Sequence, residues 1–280
     1  MKPVYSLLFL CSLFYHAAPA QDTLHLQYAD AILYTGVSDN EPLVVGLGGS
    51  EGGNAWAGNH WKPVRDSFIR KGYAFLAVGY FKTPHSPAQR EKIAIEDIYN
   101  AILEARKHAK VDGSRTAIVG GSRGADLALL TASYYPDISC VVGLASSHAV
   151  FPGNTDHLTT SSWTYQMKEL PFVPVNEEAV PFLMKGNLRG AFETMLQDTT
   201  AERKALIHVE NIRGNILLLS GTEDEICPSS PMSEKMIQRL KAYRFPFHYE
   251  HIAYPGGHAE PMKHFDVVFR YLDKYFLHNR

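Results

Sequence analysis

Short apolar runs alternate with amphipathic stretches along most of this chain. The runs at 42–47, 73–80, 116–119, 140–144, 216–220 and 247–254 are bounded by Gly, Pro or polar residues and have the length of strands. Several of them, such as Ile216-Leu217-Leu218-Leu219, lack in-out alternation, the pattern of strands buried on both faces. Between the runs, apolar residues return at three- and four-residue spacing. Ile95, Ile98, Ile102 and Ala105 share one helical stripe, which Ala94 and Ala101 widen. Leu127, Leu129, Leu130 and Ala132 form a second stripe, and the stretches 232–243 and 265–276 repeat the pattern. Strands alternating with helices predict an α/β fold, a mostly parallel central sheet with helices on both faces. The runs 24–28 and 31–35 predict a leading antiparallel edge.

One interval departs from this rhythm. Between 146 and about 205 no clear strand is evident, and Pro152, Pro171, Pro174 and Pro181 are interleaved with Trp163, Tyr165, Phe172, Phe182 and Phe192. That aromatic content argues against a disordered linker. An excursion this long inside a compact domain points to function, so 146–205 is expected to be a cap inserted after the sixth strand.

The amino terminus is different again. Residues 1–20 carry one basic residue, an apolar stretch at 4–15 and a small-residue ending, Ala18-Pro19-Ala20, which predicts an export signal cleaved after Ala20. The apolar stretch falls short of the roughly 20 residues that span a bilayer. The expected mature chain is one domain, 21–280, secreted or periplasmic and without a stable membrane span.

Composition narrows the partners. With 45 % hydrophobic and 20 % charged residues the chain is globular in character, and its formal charge of −2 is spread without a basic run longer than two residues. Nothing in it resembles a stripe that would neutralise phosphates, so no nucleic-acid partner is expected. Cys140 opens one predicted strand and Cys227 lies beyond the end of its neighbour, so the two thiols are expected to be free and buried.

The chemistry concentrates at Gly120-Gly121-Ser122-Arg123-Gly124, which fits G-x-S-x-G and sits between a β-rich apolar run and an amphipathic helical run. That arrangement lifts a serine hydroxyl above the sheet at a helix N-terminus, where amide dipoles favour developing negative charge. A hydroxyl becomes a useful nucleophile only when an imidazole takes its proton and a carboxylate orients that imidazole. In the chain order Ser, acid, His, the acid falls in Gly221-Thr222-Glu223-Asp224-Glu225. Asp224 is favoured over Glu223 and Glu225 because the strand-Gly-x-x-Asp spacing turns a short carboxylate back towards the sheet, leaving the two glutamates facing solvent.

Thirteen histidines compete for the third role. His258 combines the right order, a glycine turn and a position after a strand; His251 and His264 are the fallbacks. Oxyanion donors are expected from the backbone N–H of Arg123 and from the glycine-rich loop 46–53, through Ser50 or Glu51. No H-E-x-x-H or C-x-x-C motif is present, and neither a metal nor a cofactor is expected.

Taken together, GLGGSEGG (46–53), GGSRGADLAL (120–129), SSWTYQMKELPFVP (161–174), NILLLSGTEDEICPS (215–229) and YPGGH (254–258) resemble the acyl-CoA thioester hydrolase and bile acid-CoA:amino acid N-acyltransferase family. The related dienelactone hydrolase group is similar too. The resemblance implies an α/β-hydrolase fold and a Ser122, Asp224, His258 triad acting on an acyl ester or thioester. A serine nucleophile, where the amino-acid transferases of the family use cysteine, favours hydrolysis over transfer to an amine. An export signal implies an ester other than acyl-CoA. The competing readings are acyl transfer to an amine or alcohol, and an inactive secreted binding protein that keeps the scaffold.

Overall fold

The computed structural model describes residues 20–277, so residues 1–19, which hold nearly all of the expected export signal, lie outside the described residues. The chain runs β1 (Ala20–His25), β2 (Asp30–Thr35), β3 (Glu41–Leu47), α1 (Lys62–Arg70), β4 (Ala74–Gly79), β5 (Ile93–Ala94), α2 (Ile95–Ala105), β6 (Val111–Gly121), α3 (Arg123–Tyr134) and β7 (Cys140–Leu144). It continues through β8 (Trp163–Tyr165), β9 (Lys168–Glu169), α4 (Val180–Met184), α5 (Leu188–Met195), α6 (Thr199–Lys204), β10 (Asn215–Gly221), α7 (Ser229–Ala242), β11 (Tyr249–Tyr254) and α8 (Phe265–Leu272).

Eight strands form one twisted sheet in the order β1-β2-β4-β3-β6-β7-β10-β11. Pairing is parallel from β4 to β11, and β2 is antiparallel to both of its neighbours. Strands β3, β4, β7 and β10 are buried at every residue, which is why their centres read as apolar runs without alternation. Successive residues still point to opposite faces. Leu43, Val45 and Leu47 pack with the apolar stripes of α2, α3 and α7 on one face. Val44, Phe75 and Val119 pack on the other with Phe68 of α1 and Phe265, Val268 and Leu272 of α8. The edge strand β11 is only partly buried.

The structure moves several boundaries. The first strand lies at Ala20–His25 and not at 24–28, because the six residues of β2 pair back from Thr35↔Ala20 to Asp30↔His25, and the turn consumes 26–29. Strand β6 starts at Val111, five residues before the apolar run, since a register irregularity opposite Pro42/Leu43 accommodates the polar residues 113–115. Helix α7 begins at Ser229, with Pro231 in its first turn, and α8 passes after Leu272 into a π-helical turn over 273–277.

The 146–205 segment does contain strands. Trp163–Tyr165 pairs in parallel with Ile93–Ala94 and in antiparallel with Lys168–Glu169. These strands are two or three residues long, too short for periodicity to register. Three short helices follow, and two of them start on side chains that accept from their own first-turn amides, Asn187 for α5 and Asp198 for α6. The segment has a small core of its own, with Phe151, Val173, Ala191 and Met195 packed against Met232 of α7. Among the described residues no helix is long and apolar enough to cross a membrane.

Candidate active site

Ser122 stands between the end of β6 and the start of α3, with φ 53° and ψ −123°, a conformation that is strained for a residue with a side chain. The residues two positions to either side, Gly120 and Gly124, must be glycine. A Cβ on Gly120 would lie 2.1 Å from the carbonyl oxygen of Gly124, and one on Gly124 would lie 2.3 Å from that of Gly48. The tight turn is held from the sheet side by the Ser122 amide, which donates to the Leu144 carbonyl at 2.7 Å.

The structure brings the three widely separated candidates together. His258 Nε2 lies 3.0 Å from Ser122 Oγ, and His258 Nδ1 lies 2.9 Å and 3.0 Å from the two carboxylate oxygens of Asp224. Asp224 follows β10, His258 follows β11 and Ser122 follows β6, so all three sit beyond the carboxyl ends of parallel strands.

Asp224 is wholly buried. Burial alone would raise its pKa, but hydrogen bonds from His258 and Ser229 outweigh it and hold the group below its ordinary value. Its Oδ1 accepts from the amides of Ile226 and Cys227, both at 3.0 Å, and its Oδ2 accepts from Ser229 Oγ at 2.6 Å. Glu223 is exposed, as expected. Glu225 is exposed too, yet it does more than face solvent: its Oε2 accepts from the His258 backbone amide at 3.0 Å and so braces the histidine loop. His251 hydrogen-bonds Ser220 Oγ, and His264 stacks on Tyr254, so neither fallback faces the serine.

Two chambers meet at Ser122. The outer one, about 390 Å³, is lined by His258, Trp56, Trp61, Met262 and the loop from Gly48 to Glu51. The inner one, about 290 Å³, lies under the 146–205 segment, and Ser50, Ser122, Leu188 and Ile226 border both. Ser50 and Glu51 thus lie beside the nucleophile as the loop pattern predicts. Glu51 folds back so that its Oε1 accepts from the Gly49 amide at 3.0 Å, and Ser50 Oγ accepts from Arg90 at 2.7 Å.

Arg123 opens α3 next to the serine. Its Nη1 reaches Asp126 Oδ2 at 2.8 Å, and its guanidinium lies against the Phe151 and Phe192 pair, 5.2 Å and 5.1 Å from the two ring centroids. Asp126 is buried, which pushes its pKa up against the pull of Arg123, and its second oxygen accepts from the Ser147 amide.

Residues 94–262, more than half of the chain, match the family described as "BAAT / Acyl-CoA thioester hydrolase C terminal". The chain belongs to that family. It is similar to acyl-coenzyme A thioesterase 1 of Mus musculus, with 27 % identity over 62 % of this chain and 39 % of that protein. It therefore spans about two fifths of that relative's length. Among solved structures it resembles a puromycin-hydrolyzing peptidase of Mycobacterium tuberculosis, with TM-score 0.66, 14 % identity and coverage of 95 % of this chain and 40 % of that one. It also resembles an esterase of Pyrococcus furiosus, with TM-score 0.62, 14 % identity and coverage of 92 % and 94 %. These neighbours share the α/β-hydrolase fold. The BAAT-type match begins at Ala94, so β1 to β4 and the loop 46–53 precede it and join the site through tertiary structure alone.

Cys140 and Cys227 are both buried and unpaired. Asp224, Cys227 and His258 present ligand atoms within 4.8 Å of one another, a spacing that a metal ion also uses. The donor chemistry suits proton relay better. Burial drives the Cys227 thiol well above its ordinary pKa, so it stays protonated, and Asp224 already accepts from four groups.

Arg90 is the functional candidate that sequence reasoning misses. It stands in a loop without periodicity, and no motif marks it.

Proposed function

We propose that this chain is a serine hydrolase of acyl esters or thioesters. The observation that carries the reading is His258, with one ring nitrogen on Ser122 Oγ and the other on the buried Asp224. Ser122 Oγ attacks the acyl carbonyl while His258 Nε2 takes its proton, and Asp224 stabilises the resulting imidazolium. The oxyanion meets the Arg123 amide at the start of α3 and a second amide from Ser50 or Glu51. Collapse passes the proton from His258 to the leaving oxygen or sulfur and leaves an acyl-Ser122 ester. Water, deprotonated by the same imidazole, releases the acid and restores the hydroxyl. The segment 146–205 acts as a cap that shapes the inner chamber.

Export is part of the same reading. It is supported by the basic residue, apolar stretch and small-residue ending of residues 1–20, and it places the substrate outside the cytoplasm.

The test pairs a fluorophosphonate probe with turnover of p-nitrophenyl butyrate. Wild-type protein is expected to label at Ser122 and to hydrolyse the ester, and Ser122→Ala to do neither. Unlabelled wild type, or full turnover by Ser122→Ala, removes the reading.

A further inference from the structure

The inner chamber contains a charge that has no ion-pair partner among the described residues; Asp126, already paired with Arg123, attracts it only from a distance. Arg90 lines it and is only 6 % exposed. Its Nη1 donates to Ser50 Oγ at 2.7 Å, its Nε donates to nothing, and among the described residues no carboxylate lies within ion-pairing distance of it. The chamber's other charges cancel. Arg123 is paired with Asp126, whose second oxygen is taken by the Ser147 amide. Glu51, next to Ser50, faces the outer chamber and holds the Gly49 amide. A buried, unpaired guanidinium is costly to keep in a fold, and its usual compensation is an oxyanion held by its planar fork. Burial first, and the charge of Arg123 second, push the Arg90 guanidinium down to about 10, which leaves it charged at neutral pH.

The far wall of the chamber is apolar, from Phe151, Val175, Leu183, Ala191, Phe192 and Met195, while Arg123, Ser147 and Asn154 add polar groups nearer to Arg90 and Ser122. An apolar chamber with one uncompensated positive charge suits a hydrocarbon chain that ends in a single negative charge. The side of the scissile bond follows from His258. The base that protonates the leaving group must face it, and His258 lines the outer chamber. The leaving group therefore lies outward and the acyl chain lies inward, towards Arg90.

We infer that the inner chamber receives an acyl group carrying its own carboxylate, held by Arg90, so that the substrates are half-esters or half-thioesters of dicarboxylic acids. This rests on the hydrolase reading of Ser122.

The experiment compares phenyl hydrogen adipate with phenyl hexanoate, and phenyl hydrogen suberate with phenyl octanoate, by kcat/KM on the full chain. In wild type the half-ester is expected to be favoured about tenfold or more for at least one chain length. Arg90→Gln is expected to cut that ratio by about tenfold or more, and Arg90→Lys to retain part of it. Turnover of both esters with a ratio near one in wild type overturns the inference and leaves the hydrolase standing.

If neither ester is turned over, the fluorophosphonate and p-nitrophenyl butyrate tests decide the hydrolase reading, and calorimetry decides the carboxylate site separately. Phenyl hydrogen suberate should then bind Ser122→Ala, and about tenfold more weakly the Ser122→Ala, Arg90→Gln double variant. Equal or undetectable binding overturns the inference. If Arg90→Gln does not fold, the ratios of wild type and Arg90→Lys carry the test, and values near one in both overturn it.

Discussion

Replacing Asp224 with Asn makes the most exacting test of the site, because the surroundings dictate which way the new amide must face. Oδ1 of Asp224 receives two backbone N–H groups, from Ile226 and Cys227. An asparagine that turned its NH2 group towards them would set donor against donor, and each lost buried hydrogen bond costs about 1–3 kcal/mol. The amide oxygen therefore takes the Oδ1 position and the NH2 group takes that of Oδ2, beside Ser229 and His258 Nδ1. An NH2 group there donates to Nδ1 in competition with the amide oxygen, which already receives two backbone N–H groups, and so favours the imidazole proton on Nε2, the atom that must accept from Ser122. The substitution thus selects the wrong tautomer with little change of shape, an effect worth about 10⁴ in kcat, or roughly 5 kcal/mol of barrier. Stability should fall by only about 1–3 kcal/mol, because the Ser229 hydroxyl can turn to accept from the amide. Steady-state kcat on p-nitrophenyl butyrate, with thermal unfolding to show a folded variant, measures both. A folded Asp224→Asn protein that keeps more than about a tenth of wild-type kcat would refute the assignment of Asp224 as the acid.

The same structure makes further claims. Glu225→Gln should lower kcat by no more than about tenfold, since it weakens one exposed, charge-assisted brace on the His258 amide and leaves the imidazole's own partners in place; a loss as large as that of Asp224→Asn would transfer the acid role to Glu225. The folded-state pKa of Asp224 is depressed, so its contribution to stability is complete above its unfolded value and is lost as pH falls through the folded one. Asp224→Asn should accordingly lose less Tm than wild type between about pH 5 and pH 3, and equal losses in the two would count against it. Gly124→Ala places a Cβ within 2.5 Å of two backbone carbonyl oxygens, of Gly48 and Leu47. Urea unfolding should show a cost of about 3 kcal/mol or more, or no folded protein, and a change below about 1 kcal/mol would contradict the packing described for the turn. Burial raises the pKa of both Cys140 and Cys227. Neither should react with a thiol reagent in the native state and both should react in denaturant, read by peptide mapping; rapid native labelling of either would contradict the burial described for it.

Much of the site was legible because its chemistry is written locally. The glycines around Ser122 exist to avoid specific backbone collisions, and the strand-Gly-x-x-Asp and strand-Gly-Gly-His patterns are turn chemistry that any reader of the chain can find. The runs that became β3, β4, β7 and β10 were legible for a similar reason, since burial on both faces keeps polar residues to their ends, at Glu41, Asn215 and Ser220. The short strands at 163–165 and 168–169 escaped because two or three residues carry no period. The start of β1 escaped because Gln21, Asp22 and Thr23 lie exposed at the sheet edge, where no burial constrains them. Glu225 faces solvent as read, but it also braces the His258 amide. Its exposure was foreseeable, but its hydrogen bond to a residue 33 positions away was not.

By itself, then, the sequence determined the alternation that makes a sheet covered by helices on both faces, the glycine turn under Ser122 and the two loops that hold the candidates for its acid and its histidine. These follow from short-range sterics and from a burial pattern that repeats within a few residues. Only the tertiary structure decided that His258 bridges Ser122 and Asp224, that two chambers meet at the serine, and that Arg90 stands unpaired in the inner one. Those facts depend on loops brought together across a sheet. A guanidinium's energy is set by which carboxylates reach it in space, a quantity that no window of sequence contains.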